Sequence, residues 1–450
     1  MKISPDTICA PATSVGTGAV TVIRVSGPEA LAVADRLIRF RKGSAASSEG
    51  YTLKFGEIPG VDEVVAGIYR APHSYTGEDS VEISCHASRY IAEKILSLLC
   101  EAGARPAEPG EFTRRAFLNG KMDLAQAEAV ADLIAADTQA AHRVAVNQLK
   151  GGYSKELREL RDALVEIASL MELELDFSEE DVEFADRAKL RMLLEKASAH
   201  ISALADSFRA GNAIKNGVPV AIVGPVNAGK STLLNALLGE ERAIVSDIPG
   251  TTRDTVEETL TLGGILFRFI DTAGLRETSD TIEIKGIERS YASLEKAEVV
   301  IGVLDALAPQ EESLKACEAI KAALSPAQSL ILVRNKVDAL ASVSPVDGLL
   351  DISAKTGDGL DALRARLLDS RGPLVSDNNA TLVTNLRHYE ALRVAGESLS
   401  RVQNGLDAGL SQDLLAEDLR SAIYSLNSIF GEVTSSEILE TIFSRFCIGK

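Results

Sequence analysis

Val218-Pro-Val-Ala-Ile-Val-Gly-Pro-Val-Asn-Ala-Gly-Lys-Ser231 decides how the middle of this chain folds. Val218 to Val223 is a short apolar run of the kind a buried strand needs, and Ser231 to Leu238 opens a helical pattern. Between them, Gly224 to Ser231 satisfies G-x-x-x-x-G-K-[ST]. A glycine-rich turn from strand to helix aims several backbone N–H groups and the positive end of a helix at one point, where a chain of phosphates can bind. Lys230 then reaches the outer phosphate oxygens, and the Ser231 hydroxyl suits Mg²⁺. An α/β P-loop unit is expected.

Four further motifs follow in order. Gly250-Thr-Thr-Arg-Asp254 comes first. Asp271-Thr-Ala-Gly274 closes the apolar run Ile265 to Ile270, so its carboxylate stands at a strand end within water-bridged reach of Mg²⁺, and Gly274 lets an N–H approach the γ-phosphate. Asn335-Lys-Val-Asp338 follows the strand Leu330 to Val333. A carboxylate there accepts two hydrogen bonds from the guanine N1–H and exocyclic amine, which adenine lacks. Ser353-Ala-Lys355, after Leu349 to Ile352, supports the ring from its other side. The ordered set predicts a Ras-like GTPase domain taking GTP with Mg²⁺. Its expected GTP contacts are Asn227, Ala228, Gly229, Lys230, Ser231 and Thr232; Ser246, Asp247, Ile248, Pro249, Gly250, Thr251 and Thr252; Asp271, Thr272, Ala273 and Gly274; Asn335, Lys336 and Asp338; and Ser353, Ala354 and Lys355.

At 450 residues the chain exceeds what one core organises, so two or three domains are expected. A net charge of −18 argues against a broad nucleic-acid footprint, which needs clustered Lys and Arg, so any RNA contact is local or shared with a partner. No run approaches the ~18 apolar residues that span a bilayer. Cysteines 9, 85, 100, 317 and 447 form no C-x-x-C pair, and the expectation is a cytoplasmic protein without membrane contact.

Before the motifs, Leu157, Leu160, Leu164, Ile167 and Met171 recur at helical spacing; after them, so do Leu392, Ala395, Leu399, Val402 and Leu406, then Leu415, Leu419, Ile423, Leu426 and Phe430. Two helical arms flanking a compact α/β unit point to insertion of that unit into an all-α domain. The first 120 residues read as a separate α+β domain, with strands Ala19 to Val25 and Val81 to Ser84 and a helix Pro28 to Ile38 capped by Ser26. The predicted divisions are 1–119 for the N-terminal α+β domain, 120–214 and 376–450 for the two parts of the helical domain, and 215–375 for the inserted domain.

Two features of a GTPase site are missing from the motifs. The position that often carries a water-orienting Gln is Leu275, so that task passes to Glu277, Asp280 or Glu283. Charge developing at the β–γ bridge needs a cation: Arg253, Arg276, or a monovalent ion held by the oxygens of Asn227 and Ser246 to Thr252.

The chain resembles the MnmE (TrmE) family of tRNA modification GTPases from end to end. The resemblance is carried by Arg24-Val-Ser-Gly27, Tyr75-Thr-Gly-Glu-Asp79, Pro109-Gly-Glu-Phe-Thr113, Arg115-Ala-Phe-Leu118, Lys121-Met-Asp-Leu-Ala-Gln-Ala-Glu128, Asp271-Thr-Ala-Gly-Leu-Arg276 and Phe446-Cys-Ile-Gly-Lys450. It departs from the family in Gly-Pro-Val-Asn227, where Pro commonly precedes Asn directly, and in Ser246 for a usual Thr; both keep the ligating atoms. The resemblance implies a homodimer joined through N-terminal domains that bind 5-formyl-tetrahydrofolate or a related folate, and a G domain that dimerises around K⁺. It also implies a flavin- and NADH-using partner, MnmG (GidA), in a heterotetramer or larger complex. Together they place a 5-carboxymethylaminomethyl or aminomethyl group on the wobble uridine of certain tRNAs. By motif it assigns K⁺ to Asn227, Ser246, Ile248 and Thr251, Mg²⁺ to Ser231 and Thr252, water orientation to Glu283, and folate to Arg24, Glu82, Lys121 and Lys450. Cys447 becomes a redox-sensitive or modification-related thiol, its alternative being a buried small apolar residue. Two other functions compete: a ribosome-assembly GTPase, which needs an RNA-binding module where the terminal arm shows no basic stripe, and a folate-dependent one-carbon transferase regulated by GTP.

Overall fold

The computed structural model describes residues 6–13, 18–176, 187–239, 258–270, 294–326, 328–340, 342, 346, 348–370, 381–444 and 446–449. The chain divides into two compact units, one of 1–135, 145–202 and 390–450, the other of 136–144 and 203–389.

The first unit carries a seven-stranded sheet of β1 (Ile8–Pro11), β2 (Val20–Ser26), β3 (Arg39–Phe40), β4 (Thr52–Ile58), β5 (Asp62–Tyr69), β6 (Ser80–His86) and β7 (Arg105–Pro106), in the order β3-β4-β5-β6-β2-β1-β7. Every pairing is antiparallel except β1 with β7. Alternation sends Ile23, Val25, Val64, Ala66, Ile68, Val81 and Ile83 into a core closed by α1 (Ala30–Leu37) and α2 (Arg89–Glu101). Ser26 does not cap α1. It ends β2, and its buried hydroxyl bonds Thr76 Oγ1 at 2.7 Å and Glu78 Oε2 at 2.9 Å, while Glu29 takes the N-cap position.

The same unit adds α3 (Glu111–Leu118), α4 (Leu124–Ile134) and α6 (Gly152–Asp176), with α5 (Gln139–Leu149) between the last two. Asp123 and Gln126 start α4 with a capping box. Leu157, Leu160, Leu164, Ile167 and Met171 are all buried along α6. They lie on the helix that packs against the Gln412–Phe430 helix, where Leu415, Leu419, Leu426 and Phe430 are buried and Ile423 half-buried. Among the described residues the remaining α-helices are α7 (Arg187–Asp206), α8 (Phe208–Asn216), α9 (Lys230–Leu238), α10 (Gln310–Ala322), α11 (Leu360–Asp369), α12 (Leu386–Asp407), α13 (Gln412–Phe430) and α14 (Ser436–Phe443). Among the described residues no helix is long and apolar enough to cross a membrane.

The second unit is built on a six-stranded sheet of β8 (Val218–Val223), β9 (Glu258–Leu262), β10 (Ile265–Phe269), β11 (Val299–Asp305), β12 (Ser329–Asn335) and β13 (Leu350–Asp351), ordered β13-β12-β11-β8-β10-β9. All pairs are parallel except β9 with β10. The strands buried on both sides read as continuous apolar runs, the signature of a parallel sheet. α9 and α11 close one core through Leu233, Leu234, Leu237, Leu363 and Leu367. Helix α10 packs along β11. Ligand loops in such a sheet gather at the strand C-terminal ends, which is where the first, fourth and fifth motifs lie.

Candidate nucleotide and folate sites

The P-loop leaves β8 and turns into α9 over Gly229, which takes the N-cap position at φ +92°. A Cβ at Gly229 would overlap the Asn335 side-chain amide, so the position needs glycine for both torsion and space. Asn227 sits exposed at the tip with φ +62°. Lys230 Nζ donates to the carbonyls of Gly224 at 2.8 Å and Pro225 at 2.7 Å, and burial depresses its pKa from the usual lysine value.

Asn335 connects the three described motifs. It is 2% exposed at the end of β12; its Nδ2 donates to Ala228 O in the P-loop, and its Oδ1 accepts from Ala354 N in the fifth motif, both at 2.9 Å. Ser353 Oγ donates to Asp338 Oδ1 at 2.7 Å, orienting an otherwise exposed carboxylate. Lys336, at φ +69°, pairs with Asp305 Oδ2 at 2.7 Å. Burial pushes the Asp305 carboxyl up, but the bonds from Lys336 and the Leu307 N–H outweigh it, so its pKa lies below the ordinary value. Arg334 grips Asp351 through Nε and a terminal nitrogen at 2.6 and 2.8 Å, fastening β12 to β13. Asp305 and Arg334 escaped sequence reading; an acid closing the apolar run Val299–Leu304 was the available signal.

Asn227 to Thr232, Asn335, Lys336, Asp338 and Ser353 to Lys355 thus converge on one edge of the sheet. Ser246, Asp247, Ile248, Pro249, Gly250, Thr251, Thr252, Asp271, Thr272, Ala273, Gly274 and Glu283 lie outside the described residues, as do Leu275, Glu277, Asp280, Arg253, Arg276 and Lys450.

A second constellation lies on the outer face of the first unit's sheet. Arg24 and Glu82 face one another across β2 and β6 and pair at 2.8 and 3.0 Å. The Arg24 guanidinium lies 5.2 Å from the Tyr75 ring and 5.6 Å from the Phe112 ring, and it donates to Gly449 O at 3.5 Å. Tyr69 OH approaches Glu82 at 3.5 Å; burial, then the Glu82 charge, push its pKa upward. Lys121 Nζ donates to Pro72 O at 2.9 Å, at the root of the loop that carries Tyr75. Tyr69, Tyr75 and Phe112 were missed as site residues, although Tyr75 and Phe112 stand in motifs that carried the resemblance.

The tail reaches this place by packing. Phe446 is buried against Phe443, and Gly449, at φ +95°, lies so close to Pro11 O that a Cβ would overlap it. Cys447 is exposed, which overturns the reading of it as a buried apolar residue. Cys9 and Cys85 are the buried thiols, pushed up by burial to about 12 and about 11.

Residues 7–121 match the family described as the GTP-binding protein TrmE N-terminus, and residues 124–447 the MnmE helical domain. The chain is 51% identical over 468 residues to a tRNA modification GTPase MnmE of Bacteroides fragilis (strain YCH46), covering 100% of both chains. Against the protein of the same name from Flavobacterium johnsoniae it is 48% identical over 466 residues, again covering 100% of each. Among solved structures, the G domain of the T. maritima FeoB iron transporter is 27% identical, covering 34% of this chain and 98% of that one, with a TM-score of 0.26.

Proposed function

The chain belongs to the MnmE family of tRNA modification GTPases, and on that premise we propose that it is a K⁺-stimulated GTPase that works as a homodimer with an MnmG-type flavoprotein on the wobble uridine of tRNA. It binds and hydrolyses GTP, and its reaction serves tRNA modification; these follow from the family. The observation that carries the reading is Asn335, whose two bonds hold the P-loop and the guanine-side loop in one arrangement.

In the proposed cycle Lys230 exchanges the Gly224 and Pro225 carbonyls for phosphate oxygens, and the N-terminus of α9 supplies N–H donors to the same phosphates. Asp338, aimed by Ser353, reads the guanine edge. Ser231 and Thr252 would hold Mg²⁺, which would supply positive charge to neutralise the phosphates. K⁺ would take oxygens from Asn227, Ser246, Ile248 and Thr251. The exposed tip position of Asn227 fits an oxygen ligand open to a facing G domain. Glu283 is assigned to orient the attacking water.

For the folate pocket the donor set fits a reduced pterin carrying a glutamate: a cation between two aromatic rings, an acid beside it, and Lys121 at the rim, with Lys450 assigned to the same pocket. Its surroundings support dimerisation. Leu53, paired with Gly67 and through it with Glu82, shares the sheet face with Phe55 and Val65, and all three are exposed apolar residues. Cys447 is assigned to the modification chemistry at this site.

Mass spectrometry of wobble uridines in cells lacking the chain tests the function. The modified base is expected to disappear and to return with the wild-type gene; unchanged modification would refute it.

A further inference from the structure

Residues 119–123 join α3 to α4 and bind on both sides. Toward the sheet, Asn119 Nδ2 donates to Thr76 O at 2.7 Å and Lys121 Nζ to Pro72 O at 2.9 Å. Two side chains of this segment thus grip the loop whose Tyr75 ring supports Arg24. The packing there is close: a Cβ at Gly77 would stand 3.1 Å from Asn119 Cβ and 3.3 Å from Lys121 Cγ. Toward the helices, Asp123 uses its two oxygens for different partners. Oδ1 accepts from Gln126 N at 2.9 Å, capping α4, and Oδ2 accepts from Arg158 of α6 at 3.1 Å. Arg158 in turn lies with its guanidinium carbon 4.9 Å from the centroid of Phe430, the last residue of α13.

We propose that Asp123 and Arg158 are positioning residues that carry the placement of α6 and α13 through Lys121 and Asn119 to the loop beneath Arg24, and so set the affinity of that pocket. The proposal rests on the folate reading of the pocket. It follows from geometry: the Asp123 side chain is 7% exposed, and a buried carboxylate shared by two elements cannot shift on one without the other. A displacement of the helical arm then reaches the pocket through four short polar contacts.

The two duties of Asp123 separate by substitution. Asp123→Asn keeps an N-cap acceptor but loses the anion opposite Arg158. In the full-length chain, binding of 5-formyl-tetrahydrofolate is measured by calorimetry beside basal GTP turnover. Asp123→Asn and Arg158→Gln are each expected to weaken folate binding about fivefold, the scale of one ordinary hydrogen bond, with GTP turnover unchanged. Arg158→Lys is expected to restore most of the affinity. In a background that carries both Asn119→Ala and Lys121→Ala, Asp123→Asn should cost less than about twofold, because its effect passes through these two side chains. An effect of full size in that background would mean general loosening and would overturn the relay, as would wild-type affinity in both single variants. Should Asp123→Asn fail to fold, Arg158→Gln carries the test, since Arg158 caps no helix. A wild-type chain that binds no folate refutes the pocket reading itself.

Discussion

Replacing Asn335 by Ala removes a side chain that is bonded at both ends inside the protein. Its Nδ2 meets Ala228 O and its Oδ1 meets Ala354 N, each at 2.9 Å. The variant strips a buried P-loop carbonyl and a buried N–H of the Ser353–Lys355 loop of these partners. Each orphaned group costs about 1–3 kcal/mol, so with partial relaxation the pair costs roughly 2–4 kcal/mol. That loss falls on the arrangement in which the loops are aligned, which is the one nucleotide selects. About 2 kcal/mol of it is expected in binding, a roughly 30-fold rise in Kd for GDP. Asn335→Asp is the sharper control. It keeps the acceptor toward Ala354 N but sets a carboxylate oxygen against the Ala228 carbonyl, so it is expected to be at least as damaging despite its near-identical shape. A fluorescent GDP analogue, titrated against each variant beside a urea unfolding curve, reads both effects. An Asn335→Ala chain within about twofold of wild type in affinity would refute the reasoning.

Three further outcomes are expected. Asp305 has a depressed pKa, so its contribution to stability is complete above the ordinary value of 3.8 and is lost as pH falls through the lower folded value; Asp305→Asn should flatten the acid limb of urea midpoints, and an unchanged limb would count against the Lys336 pair. Gly449→Ala adds a Cβ into Pro11 O at a positive φ, so it should dislodge the tail from Arg24 and weaken folate binding at least tenfold with GTP affinity intact; equal folate affinity would separate the tail from the pocket. GTP turnover should be markedly faster in KCl than in NaCl, and Asn227→Ala should erase that difference; equal wild-type rates in the two salts would remove the K⁺ site.

The P-loop, Asn335 and Asp338, and the Ser353–Lys355 loop were all legible as motifs, because each occupies a strand end whose apolar run precedes it in the chain. The helical arms were legible for a similar reason: burial of Leu157, Leu160, Leu164, Ile167 and Met171 follows from spacing along one helix. Ser26 shows where local reading fails. A Ser two residues before Pro28 resembles a helix cap, yet its hydroxyl is claimed by Thr76 and Glu78, some 50 residues away in the chain. The exposed Cys447 beside a buried Phe446 is another such case, since exposure in a tail is decided by what the tail lies against.

Sequence by itself determined the ligand class, the α/β switch and the family, because phosphate and guanine recognition are built from a few contiguous residues whose backbone geometry is local. Only the tertiary structure decided that Asn335 spans two other motifs, that Arg24 lies against Tyr75, Phe112 and the Gly449 carbonyl, and that Asp123 divides its oxygens between α4 and α6. These contacts join positions from 3 to 425 residues apart. The longest of them have no periodicity to announce them, because a side chain's partner across such distances is set by which surfaces the folded elements bury against each other.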